Sequence, residues 1–181
     1  VGGGTGLSTL LKGMKAFTRN ITAVVAVTDE GGSSGRLRTE WGVLPPGDVR
    51  NCMVALAEND NSLKQLLDFR FDRGELAGHS LGNLLLLSEL CGDFRVAVEQ
   101  MNHLLAIRGR VLPVTTEPIS LAGTTKDGTR VRGELEISRN GRKIKEIWLE
   151  PQNARPLAEV LQAVDGAEMI LLGPGSLFTS V

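Results

Sequence analysis

A chain of 181 residues that is 41% hydrophobic is long enough to bury one sizeable core, and no apolar run reaches the roughly 18 residues of a membrane span. A net charge of −1 excludes the basic footprint of a nucleic-acid binder and gives no attraction to an acidic membrane surface. The two cysteines, Cys52 and Cys91, fall on separate apolar helix faces without metal-ligand spacing, which reads as buried thiols in a reducing cytoplasm.

Taken in order, the chain opens on a lone Val1 before Gly2-Gly3-Gly4-Thr5-Gly6, as though a strand preceded it. A helix follows, with Leu7, Leu10, Leu11, Met14 and Phe17 on one stripe of period 3.6. A glycine loop feeding a helix N-terminus favours anions, because free N–H groups and the helix dipole both point positive charge at the loop. Gly3, Gly4, Thr5 and Gly6 are therefore candidate ligand-binding residues. The loop lacks the Gly-Lys-Ser/Thr of a Walker loop, and Leu7 stands where a dinucleotide fingerprint needs its third glycine.

Ile21 to Val27 reads as a buried strand, and Asp48 as the N-cap of an amphipathic helix carrying Val49, Cys52, Met53 and Leu56. Between them, TDEGGSSGRLRTEWGVLPPGDVRN shows neither the strand nor the helix period, and so long a loop points to function. Its glycines turn N–H groups outward, Ser33 and Ser34 add hydroxyls, and Arg36, Arg38 and Arg50 add forks suited to phosphate. Thr28 and Asp29 follow the strand directly, where open α/β sheets place ligand-binding groups, and Asn51 closes the stretch. Asp29, with Glu30 and Asp48 nearby in sequence, is the candidate Mg²⁺ ligand, the ion being shared with ligand phosphates.

Helices are predicted at Asp48 to Glu58, Ser62 to Phe69, Leu84 to Leu90 and Asp93 to Ala106, while Arg70 to Ala77 has no clear pattern. Gly78-His79-Ser80-Leu81-Gly82 matches the G-x-S-x-G nucleophile elbow, but no apolar strand precedes it. Ser80 and Asn83 are better read as capping the next helix or reaching a ligand, and His79 as a structural turn histidine. From 110 to 149 a β-meander insertion is predicted, with strands at Ile119 to Thr125, Thr129 to Ser138 and Lys143 to Leu149. Asp127-Gly128 and Asn140-Gly141 are its turns.

Pro156 then opens a helix, and Met169 to Leu172 is predicted as a buried strand delivering Gly173-Pro174-Gly175-Ser176. Gly173, Gly175 and Ser176 thus join the candidate ligand-binding set. Strand, glycine loop and helix occur at both ends of the chain, and an open, mostly parallel α/β sheet would gather these loops along one carboxyl edge. The reading is a single domain over 1–181, expected to be a fragment lacking a first strand and a C-terminal part. No residue is assigned a catalytic role.

GGGTGLSTLLKGMK, VTDEGGSSGRLR, LPPGDVRNCMVALA, GHSLGNLLL and GPGSLFTS, in this order, resemble the gluconeogenesis factor family of YvcK type. That family lies in the superfamily of 2-phospho-L-lactate transferase, and Glu30 stands where it usually has a second Asp. The resemblance implies a Rossmann-like fold with helices on both faces of the sheet, a cytoplasmic location and self-association as a dimer. It implies binding of a nucleotide sugar of the UDP-N-acetylglucosamine kind, and a role in cell shape and wall synthesis on gluconeogenic carbon sources. The alternative it carries is transfer of a phospholactyl group from a guanine-nucleotide donor to a deazaflavin with Mg²⁺.

Overall fold

The computed structural model describes residues 1–58, 62–87, 93–140, 143–176 and 178–179. Strand β1, Thr22–Val25, pairs in parallel with β2, Arg110–Pro113, with Thr22 opposite Arg110 and Val25 opposite Pro113. On the other side of β1, Gly2 forms a parallel bridge to Val25, its N–H donating to the Val24 carbonyl at 3.0 Å. Val1 in turn receives the Gly173 N–H at 3.0 Å and donates its amino group to the Leu171 carbonyl at 2.8 Å. The spatial order is therefore 171–173, 1–2, β1, β2, all running one way. This is an open parallel arrangement whose strand order reverses between the first and the last segment.

The strand period of two decides which helices cover which face. Ala23, Val25 and Val111 point into the main core with α1 (Gly4–Met14), α3 (Gly47–Leu56) and α6 (Phe94–Leu104), which supply Leu7, Leu11, Met53, Leu56, Val98 and Met101. Val24 and Leu112 point the other way and pack on Val160 of α8, Ala158–Asp165. Helices thus lie on both faces, as the sequence implies. Between α3 and α6 run α4, Ser62–Asp68, and α5, Leu81–Leu87; the remainder of the predicted Leu84–Leu90 helix, and Cys91, lie outside the described residues. Cys52 is buried, and burial pushes its thiol up to about 12, so it is an inert core residue. No helix among the described residues is long and apolar enough to cross a membrane.

Five expectations are corrected. The long loop after β1 holds a ten-residue helix, α2, Gly32–Trp41, entered at Gly31 and closed by Gly42 at φ 65°. It was invisible to periodicity because Leu37 is its only buried large apolar residue. Asp48 is not the cap of α3: Pro46 holds that position, and Asp48 lies in the first turn. The antiparallel sheet begins at Ser120 rather than 110, in the order β4 (Arg130–Arg132), β3 (Ser120–Thr125), β5 (Ile144–Glu150). The predicted Thr129 to Ser138 strand stops at Arg132, where Gly133 takes φ 96°, and the chain becomes α7, Glu134–Asn140. Its alternating Leu135 and Ile137 mimic a strand, but only Ile137 is buried, against Leu121, Val131 and Ile144. The Asp127-Gly128 turn forms as predicted, with Gly128 at φ 88°, while Gly141 of the second turn lies outside the described residues.

The fifth correction concerns Met169 to Leu172, which is extended but exposed rather than a buried strand. Among the described residues its strand-like partner is Val1, and the side chains of Met169 and Ile170 are exposed. A cavity of about 500 Å³, lined by Leu10, Met14, Thr22, Val24, Val164 and Ile170 among others, separates this segment from β1.

Two helix glycines give a paired test of the packing. A Cβ on Gly82 would lie 2.6 Å from Arg50 Cδ and 2.7 Å from the Leu67 carbonyl oxygen, whereas one on Gly13 would meet nothing within 4 Å. Gly82→Ala should cost about 1–3 kcal/mol by overpacking, and Gly13→Ala should gain about 0.5–1 kcal/mol by cutting unfolded-state entropy. Urea unfolding of the two variants beside the parent checks both signs.

Candidate functional site

The carboxyl ends of the parallel segments gather the predicted loops. A Cβ on Gly6 would collide with the Pro174 carbonyl, so the first glycine loop and the 173–175 loop are in direct backbone contact. This contact lies where the strand order reverses, the place where open α/β sheets bind ligands. The Gly4 N–H, at the N-terminus of α1, donates to Asp48 Oδ2 at 2.6 Å. Gly3 stays small because a Cβ there would stand 3.0 Å from the same oxygen. The first loop thus closes on α3 through one charged hydrogen bond.

Asp29 sits on the other side of Asp48. Its Oδ1 accepts the Gly31 N–H at 2.9 Å, which fixes the turn into α2, and its Oδ2 would lie 3.6 Å from a Cβ on Gly47. Ser34 Oγ accepts the Gly47 N–H at 3.1 Å, tying the first turn of α2 to the first turn of α3. The first N–H groups of α1 and α2 have no intrahelical acceptors and face the anion preference of a helix N-terminus. Gly35 has no room for a Cβ, which would clash with the Glu30 carbonyl, and Glu30 itself packs on Gly133.

The electrostatics follow from this crowding. Burial raises the Asp48 carboxyl to about 6; the Gly4 hydrogen bond opposes that, and the negative charges of Asp29 and Glu134 add to it. Two half-buried carboxylates that repel one another suit a divalent cation. Among the described residues no group of three or more His, Cys, Asp or Glu could hold a metal by protein ligands alone. Two carboxylates completed by phosphate oxygens and water are the usual Mg²⁺ arrangement, so Asp29 and Asp48 fit that ion only together with a phosphate ligand.

A second cluster adjoins the first through α2. Ser33 Oγ lies 2.9 Å from His79 Nδ1 and accepts from Asn83 Nδ2 at 3.0 Å, with all three side chains buried. The stretch Arg70 to Ala77, patternless in sequence, is a loop closed by the Arg70 to Ser80 bridge, and its return limb places His79. Ser80 Oγ accepts the Asn83 N–H at 3.2 Å and so caps α5, facing away from a nucleophile's role. Reading His79 as a purely structural turn residue missed this cluster. The signal available was a Gly-His-Ser turn feeding an apolar helix, with no apolar partner for the ring in its own segment.

The arginines differ from expectation. Arg50 is buried and committed to protein groups: Asp68 at 2.8 Å, Asn51 Oδ1 at 2.6 Å and the Leu67 carbonyl at 3.2 Å. It locks α3 to α4, and Asn51 is its partner. Arg38 bonds the Ile119 carbonyl and Ser120 Oγ, holding the antiparallel sheet to α2. Arg36 donates to the Ala77 carbonyl at 2.6 Å but is exposed and keeps further N–H groups for a ligand. Of the remaining candidates, Thr28 is buried beside the cleft, Thr5 is exposed with its carbonyl held by Ser8 and Thr9, and Gly175 and Ser176 are exposed beyond Pro174.

A family model described as 2-phospho-L-lactate transferase CofD matches residues 1–181. The chain belongs to the CofD family. It is 52% identical to the gluconeogenesis factor of Halalkalibacterium halodurans, covering 99% of this chain and 57% of that protein. It is 45% identical to the gluconeogenesis factor of Bacillus subtilis, covering 99% of this chain and 58% of the relative. A crystal structure of protein BH3568 from Bacillus halodurans superposes with a TM-score of 0.94 at 52% identity, over 99% of this chain and 59% of that one. These matches bear out the resemblance to gluconeogenesis factors and the open α/β fold. The chain spans less than two thirds of the length of these relatives.

The raised Asp48 gives a pH test. Folding lifts its pKa from 3.8 to about 6, so the folded state holds a proton that the unfolded state releases. Its stabilising effect is therefore greatest at low pH, and is lost as pH rises from about 4 through about 6. Asp48→Asn keeps an acceptor for the Gly4 N–H without the charge. It should be more stable than the parent by up to about 3 kcal/mol near pH 7.5, with the advantage gone near pH 4. Denaturant unfolding at the two pH values measures it.

Proposed function

We propose that this protein acts as a gluconeogenesis factor that binds a nucleotide sugar of the UDP-N-acetylglucosamine kind at the switch point of its parallel sheet. The observation that carries the reading is the meeting of Gly3 to Gly6, the α2 N-terminus and the Gly173 to Gly175 loop around Asp29 and Asp48. Two helix N-termini offer N–H donors to a diphosphate, and Ser33, Ser34 and Arg36 belong to the first turns of α2. No lysine of the Walker kind is present to bind a terminal phosphate, so the reading is binding without nucleotide hydrolysis. A Mg²⁺ shared between Asp29 and the diphosphate would neutralise the carboxylate pair when bound; the chain's own residues position it and the sugar nucleotide. In this reading the protein works in the cytoplasm, as a dimer, coupling nucleotide-sugar levels to cell shape and wall synthesis on gluconeogenic carbon sources.

The alternative is a transferase that moves a phospholactyl group from a guanine-nucleotide donor to a deazaflavin, favoured by the family whose model the chain matches. Calorimetric titration with UDP-N-acetylglucosamine separates the two. The expected result is saturable binding, weakened about tenfold or more (about 1.4 kcal/mol) in Asp29→Ala, and no phospholactyl deazaflavin when donor and acceptor are supplied. Product formation with those substrates would establish the alternative, and steady phosphate release from ATP or GTP would refute a binding role without hydrolysis.

A further inference from the structure

Ser33, His79 and Asn83 come from α2, the 69–81 loop and α5, so their meeting is a tertiary arrangement and not a local turn. Its sense follows from the ring tautomer that carries its proton on Nε2. Asn83 Nδ2 donates to Ser33 Oγ, leaving the hydroxyl one proton to give. In that tautomer a neutral His79 accepts the hydroxyl's hydrogen bond at Nδ1, 2.9 Å away. The hydroxyl then has nothing to offer a ligand. With His79 protonated, Nδ1–H and Asn83 both donate to Ser33 Oγ, and the hydroxyl proton is released to an acceptor outside the trio.

Resting on the nucleotide-sugar reading above, we propose that His79 is a positioning residue for the phosphate site, its proton turning the Ser33 hydroxyl from the ring to a ligand phosphate. Binding of a diphosphate and protonation of His79 then favour each other reciprocally. The groups facing the ring set its resting state. Burial disfavours the imidazolium most, Arg36 of α2 and Arg70 of the loop oppose it, Glu40 of α2 favours it, and Asn83 of α5 is neutral. The net effect holds the ring below its usual value. Near pH 7 His79 is therefore mainly neutral in the free protein, and an anion beside Ser33 supplies the charge that a proton on the ring requires.

The test is calorimetric titration of the protein with UDP-N-acetylglucosamine from about pH 8 to about pH 5.5, in the parent, Ser33→Ala and His79→Asn. This ligand suits the range because both its phosphates are diesters and neither titrates there. Uptake of one proton steepens the affinity by up to about tenfold per pH unit as pH falls. Both variants retain the titration of Asp48, so the slope that the parent shows and they lack belongs to the Ser33 and His79 pair. Nitrogen NMR of the imidazole in the ligand-free protein should show Nδ1 bare and Nε2 protonated near pH 7. A ring protonated at Nδ1 would overturn the proposal, whatever binds. Equal slopes in all three proteins would overturn it while leaving nucleotide-sugar binding intact. Absence of binding to the parent at every pH would remove the functional reading, and this inference with it.

Discussion

One charged hydrogen bond, from the Gly4 N–H to Asp48, joins the N-terminus of α1 to the first turn of α3. It sits where the strand order of the parallel sheet reverses, and the neighbouring contacts are arranged around it. Asp29 adds its charge beside Asp48, Ser34 ties α2 to Gly47, and Pro174 closes over Gly6. A buried carboxylate with a second carboxylate nearby is a costly way to hold two helices together. The cost is intelligible if the same group also faces a cation or a polar ligand. In the free protein, Asp48 is the internal anion that satisfies the α1 N-terminus.

The architecture was legible wherever a segment had one strong period or a defined turn. The β1 run, the α1 stripe of Leu7 and Leu11, the α6 helix after Asp93 and the Asp127-Gly128 turn all read directly from residues. What failed had physical reasons. The α2 helix buries Ser33, Ser34 and Gly35 instead of a leucine stripe, so tertiary hydrogen bonds rather than amphipathicity hold it. In α7, alternating Leu135 and Ile137 obey a strand period while Gly133 enforces a break that alternation cannot show. Met169 to Leu172 has a buried strand's composition, but burial depends on neighbours that sequence does not specify.

The site was legible in outline and misjudged in detail. Glycine loops after strands located it, because backbone donors at strand ends are a property of the fold. The arginines misled because charge counts do not reveal partners: Arg50 is taken by Asp68 and Asn51, and Arg38 by the antiparallel sheet. These residues build the frame that holds α2 and α3. The partner of His79 was hidden for the opposite reason, Ser33 lying 46 positions away in sequence.

Hydrogen exchange with and without UDP-N-acetylglucosamine tests the central claim, that the converged loops are a diphosphate seat. The account predicts added protection at the amides of Gly4 to Leu7 and Gly32 to Ser34, while the antiparallel sheet from Ser120 to Glu150 is unchanged. Ligand binding that leaves both helix N-termini unprotected, or protects only that sheet, would contradict it.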